Sequence, residues 1–153
     1  MTYVILRVEM KKGRGYVYKL EYHLIWVTKY RHPVLMGEVA DGLKEILRDI
    51  ATQNGLEIVR VEVMPDHVHL LLGATPQHAI PDFVKALKGA SARRMFSAFP
   101  QLRHTHWGGS LWNPSYCILT VSEHTRAQVQ KYIESQSSQT DSHEQAAPQY
   151  VAE

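Results

Sequence analysis

A chain of 153 residues can form one domain that buries roughly 70% of the surface its unfolded form exposes, and 44% apolar with 21% charged residues argues against both disorder and membrane insertion. The single cysteine, Cys117, excludes an intramolecular disulfide and a Cys-based zinc cage. With no basic-then-apolar leader in MTYVILRVEMKKGRG and no run of ~20 apolar residues, a reducing cytoplasm is the expected location.

A formal net charge of +2 says little about partners, but its distribution says more. Residues 1–32 set Arg7, Lys11, Lys12, Arg14, Lys19, Lys29 and Arg31 against Glu9 and Glu21, whereas the last stretch carries only Asp141, Glu144 and Glu153. A basic body with an acidic tail can attract phosphates locally; a solvated charged face explains the same charges equally well.

In chain order, residues 16–28 (YVYKLEYHLIWVT) are rich in aromatic and β-branched types and predict a strand. Val39, Leu43, Ile46, Leu47 and Ile50 recur at helical spacing and predict a helix over 38–54, stopped by Asn54-Gly55. Residues 57–64 set Ile58, Arg60, Glu62 and Met64 against Val59, Val61 and Val63, the period of a half-buried strand. Pro65-Asp66 turns the chain into a second strand over 67–74, so the two form an antiparallel hairpin.

Pro81 and Asp82 open a helix with Ile80, Phe83, Val84, Leu87 and Met95 inward and Lys85, Lys88, Arg93 and Arg94 outward. After the loop RHTHWGGSLWNP, residues 115–121 predict a last strand and residues 125–136 a final helix with Val129 and Ile133 on its apolar side. Residues 137–153 are too polar to fold alone and predict a disordered tail beyond a domain of residues 1–136. Strand, helix, strand, strand, helix, strand and an extra helix predict an α+β fold of the ferredoxin-like (RRM-like) kind: an antiparallel sheet with two helices on one face and the other face free.

In MPDHVHLLL, His67 and His69 lie two apart on a strand, so both leave the same face while Val68, Leu70 and Leu72 point to the core. Such a pair is either half of a metal site or two surface histidines, and two ligands alone are not a site. On the final helix Gln128, Tyr132 and Gln136 share one stripe, which can supply a third ligand or simply place Tyr132 at an amphipathic edge. Asp66 reads as a turn residue first and as a partner that orients a histidine second. A rival pair, His104 and His106, lies in a Gly-rich loop without a strand frame, which favours solvent or DNA contact.

MPDHVHLLL resembles the His-hydrophobic-His signature of the single-tyrosine HUH transposases of bacterial insertion sequences, the TnpA type, and KYIESQ resembles their tyrosine helix. YHLIWVTKYRHPVL and LWNPSYCILTVS are also similar to family segments, so the resemblance spans residues 16–136. It implies that Tyr132 is the nucleophile and that His67, His69 and Gln136 hold a divalent metal, Mg²⁺ or Mn²⁺. It further implies a 5′-phosphotyrosine with a free 3′-OH, a single-stranded DNA substrate recognised through hairpin ends, and a bacterial, nucleoid-associated setting. A homodimer in which each tyrosine helix completes the partner's metal site is implied as well.

For DNA contact, Lys85, Lys88, Arg93, Arg94 and Arg103 offer phosphate ligands, and Trp107 and Trp112 offer stacking surfaces, although a solvated helix and core tryptophans fit the same residues. Two alternatives remain at this point: a domesticated relative that processes repeats, and a noncatalytic ferredoxin-like module that stacks single-stranded nucleic acid on its sheet.

Overall fold

The computed structural model describes residues 11–105, 109–121 and 125–137. A short hairpin of β1 (Lys11–Gly13) and β2 (Tyr16–Tyr18) precedes β3 (Leu20–Val27), α1 (Glu38–Gln53), β4 (Glu57–Met64) and β5 (His67–Ala74). These are followed by α2 (Ile80–Ala98), the single turn α3 (Leu102–Thr105), β6 (Cys117–Thr120) and α4 (Thr125–Ser137). The strand expected over 16–28 is therefore two strands: β2 pairs back onto β1, and only β3 enters the main sheet.

The main sheet has the order β4-β5-β3-β6, every neighbouring pair antiparallel. Its strands alternate with α1 and α2 as strand, helix, strand, strand, helix, strand, which is the ferredoxin-like arrangement. Leu24 and Trp26 from β3 and Val68, Leu70 and Leu72 from β5 are buried with Leu43, Leu47 and Ile50 of α1 and Phe83, Leu87 and Met95 of α2 in one core. Alternation along β3 and β5 then sends His23, Ile25, His67 and His69 to the opposite face.

α1 ends as Asn54-Gly55 predicts. Gly55 takes φ +70°, its N–H donates to the Thr52 carbonyl, and the Leu56 N–H donates to the Ala51 carbonyl, closing the last turn with a Schellman motif. Strict alternation fails in β4. A bulge between Ile58 and Arg60 leaves Val59 unpaired and 51% exposed. The extra residue shifts the phase, so Ile58 joins Val61 and Val63 against the core while Arg60, Glu62 and Met64 share the histidine face.

The expectation of a free second face is corrected by α4. Tyr132 packs with Ile25 and Cys117, and Leu119 and Ile133 lie against them, so the final helix covers the β3–β6 side of that face. Trp112, offered as a stacking surface for bases, is also corrected: it is 5% exposed, meets Trp26 edge to face at 5.6 Å and donates from Nε1 to Ser91 Oγ. A ring held in the core on both sides cannot take an unpaired base.

Candidate active site

The site begins with the cross-strand register. Glu62 pairs with His69, His69 with Ile25 and Ile25 with Cys117, so these four side chains form one row across the sheet. Met64, His67 and Val27 form the next row. Side chains in such rows sit close enough to interact, and diagonal neighbours remain within reach of long or aromatic groups.

His67 is fixed by the residue before it. Its Nδ1 lies 2.8 Å from Asp66 Oδ1, and with Nδ1–H donating there, Nε2 is left as the acceptor. Asp66 thus serves the turn and also orients the imidazole, the reading placed second from sequence. Its carboxyl is held below the usual range: burial alone would push it up, but hydrogen bonds from His67 and Arg31 outweigh that. The Arg31 guanidinium meets Asp66 Oδ2 through Nε at 2.9 Å and Nη2 at 2.6 Å.

His69 has a partner that was not singled out from sequence. His23 Nδ1 lies 2.7 Å from His69 Nε2, and His69 Nδ1 lies 3.5 Å from Glu62 Oε2. With Nδ1–H turned toward Glu62, His69 Nε2 accepts from His23. Burial lowers the pKa of both rings, so both favour the neutral form that a metal ligand requires.

Tyr132 is 1% exposed, and its hydroxyl lies 3.3 Å from Ser115 Oγ. Burial pushes the phenol up to about 12. No hydrogen bond joins it to His67 or His69. One turn on, Gln136 is 9% exposed, and its side chain makes no hydrogen bond to another described residue.

Among the described residues no cluster of three His, Cys, Asp or Glu side chains is poised around a cation. The donor set nonetheless suits one: two imidazoles on one face, His67 with Nδ1 turned to Asp66 so that Nε2 can accept, and on the helix above the amide of Gln136, which makes no hydrogen bond among the described residues. His69 Nε2 would have to exchange His23 for the ion.

Of the basic residues assigned to DNA, Lys85 and Arg93 are exposed on α2, and α2 packs on the face away from the histidines. Arg94 is exposed but pairs with Asp49 at 2.5 Å, and Arg103 lies over the Phe96 ring. Lys88 is corrected. Its ammonium turns inward to donate to the Asn113 and Ser115 carbonyls at 2.7 and 2.8 Å, and burial lowers its pKa to about 8, so it supports the loop before β6. His104 is exposed on α3, whereas His106, Trp107, the Gln128 and Val129 side chains and residues 138–153 lie outside the described residues.

An α+β domain with paired histidines on one sheet face and a tyrosine helix over it is the class of protein that the fold and site define. The family model described as "Transposase IS200 like" matches residues 16–136, and the chain belongs to that family. It is 82% identical over 136 residues to the ISDra2 transposase TnpA of Deinococcus radiodurans, covering 89% of this chain and 97% of the relative. Identity to the IS200 transposase of Salmonella typhimurium is 30% over 116 residues, 76% of each chain.

Among solved structures, a transposase candidate from Deinococcus radiodurans R1 matches with TM-score 0.80 and 85% identity, over 83% of this chain and 98% of that one. A REP-associated tyrosine transposase bound to a REP hairpin shares the fold at TM-score 0.52 and 14% identity, over 79% and 68% of the two chains.

Proposed function

We propose that this chain nicks and rejoins single-stranded DNA through Tyr132, excising and inserting an insertion sequence after its end hairpins are recognised. The observation that carries the reading is the convergence, on one sheet face, of an oriented His67, a neutral His69 and a helix bearing Tyr132 and Gln136, in a member of the IS200-like transposase family.

Attack by the Tyr132 oxygen forms a phosphorus–oxygen bond as the bond to the 3′ oxygen breaks. The phenol's proton passes in net terms to the released 3′-OH, leaving a 5′-phosphotyrosine. Since the link conserves a phosphodiester, another 3′-OH reverses the step without ATP. A bound Mg²⁺ or Mn²⁺ supplies Lewis-acid polarisation of the scissile phosphate, and two imidazoles favour Mn²⁺. His67, His69 and Gln136 would hold the ion.

A free phenol is ionised about one time in a thousand at neutral pH, and the buried Tyr132 less often still. With its hydroxyl buried beside Ser115, the phenol has to leave that seat to reach a phosphate. Homodimerisation fits an edge strand, β4, that keeps Val59 and Met64 exposed. A hairpin substrate fits the REP-bound neighbour.

The test uses labelled single-stranded DNA with Mg²⁺ or Mn²⁺. Wild type should form an adduct that survives denaturation, Tyr132→Phe should form none, and His67→Ala should lose at least ~100-fold in rate. Unchanged cleavage by Tyr132→Phe would move the nucleophile elsewhere. Equal cleavage of duplex DNA would contradict the single-strand requirement.

A further inference from the structure

Arg31 does more than pair with Asp66. Its Nη1 donates to the main-chain carbonyl of Ile133 at 2.9 Å, 102 positions along the chain and adjacent to Tyr132. One guanidinium thus joins the carboxylate that orients His67 to the backbone of the helix that carries Tyr132 and Gln136.

The backbone is bent to put it there. Tyr30 and Arg31 take φ of +56° and +52°, the left-handed region that non-glycine residues rarely adopt, just after β3 ends. Thr28, fully buried, anchors the turn: its N–H donates to the Asp66 carbonyl and its hydroxyl to the His32 carbonyl. The Arg31 side chain is only 19% exposed, so its bonds are well shielded from solvent.

We propose that Arg31 is a positioning residue that latches the tyrosine helix to the His67 turn, so that the docking of α4 and the orientation of the metal-binding imidazole are coupled through one side chain. This rests on the reading of His67 and Tyr132 given above. A planar guanidinium can serve Asp66 with Nε and Nη2 and still present Nη1 to Ile133; a lysine ammonium at the end of a flexible stem can reach one of them but not hold both. Breaking either end should therefore be felt at the other.

The experiment compares wild type with Arg31→Gln, Arg31→Lys, Arg31→Gly and Asp66→Asn in the full chain, by hydrogen exchange across 130–137 and by Mn²⁺ binding. Arg31→Gly relieves the positive φ while removing the latch, so loosening of α4 in that variant cannot be ascribed to a strained turn. All three Arg31 variants should raise exchange in that segment by at least ~10-fold and weaken Mn²⁺ binding by ~10-fold or more. Asp66→Asn combined with Arg31→Gln should weaken Mn²⁺ binding by less than the product of the single effects.

Unchanged exchange across 130–137 in Arg31→Gly, or unchanged Mn²⁺ binding in the presence of faster exchange, would overturn the coupling. Rescue of both readouts by Arg31→Lys would do the same. The Tyr132→Phe adduct assay stands apart: its failure would sink the catalytic reading, whereas exchange reports on the latch whether or not Tyr132 is the nucleophile.

Discussion

Tyr132 carries its hydroxyl into a seat formed by Ile25, Cys117 and Ser115, and that burial raises its pKa to about 12. The sign of the linkage follows. With the folded pKa above the unfolded value of about 10, the folded state binds more protons between those limits. The stability contributed by the protonated phenol is complete below pH ~10 and is lost as pH rises toward 12. Denaturant titrations should show that loss in wild type and a smaller one in Tyr132→Phe; identical pH profiles would mean that the phenol is not seated as described.

The catalytic and metal roles of His67, His69, Tyr132 and Gln136 come from the family resemblance alone, but the shared face of each pair was readable from its spacing along a strand or a helix. His23 and Arg31 were not. His23 meets His69 only because β3 and β5 pair in the register that sets His23 against Leu71, and Arg31 meets Ile133 across 102 positions. Neither relation leaves a period in a single sequence. Arg31 counted only as one more positive charge.

At the scale of elements, α1, β4, β5, α2 and α4 fall close to where periodicity and stop signals place them. The misses have separate physical causes. The bulge at Val59 changes phase inside what reads as a regular strand, and the β1–β2 hairpin splits a continuous β-branched run at Lys19. Lys88 and Trp112 look like surface residues until α2 and the loop before β6 come together, when Lys88 caps two loop carbonyls and Trp112 fills the core beside Trp26.

Trp112→Ala should therefore destabilise the domain by about 3–5 kcal/mol, the cost of a large aromatic cavity, with Ser91 losing its donor as well. Equilibrium unfolding checks this. A change below ~0.5 kcal/mol accompanied by weaker single-strand binding would return Trp112 to the DNA surface.

The whole molecule is a two-sided sheet. One side is a conventional core under α1 and α2; the other pairs polar histidine chemistry with a helix laid over the β3–β6 strands. No helix among the described residues is long and apolar enough to cross a membrane. Confining the core to one face leaves the second face to hold charges, imidazoles and a docked helix outside the main core.

The most direct measurement is the chemical location of the DNA. After reaction of wild type with single-stranded DNA and Mn²⁺, tandem mass spectrometry of the denatured adduct should place the phosphate on the Tyr132 oxygen. A phosphate on another side chain, or none despite efficient cleavage, would contradict the account.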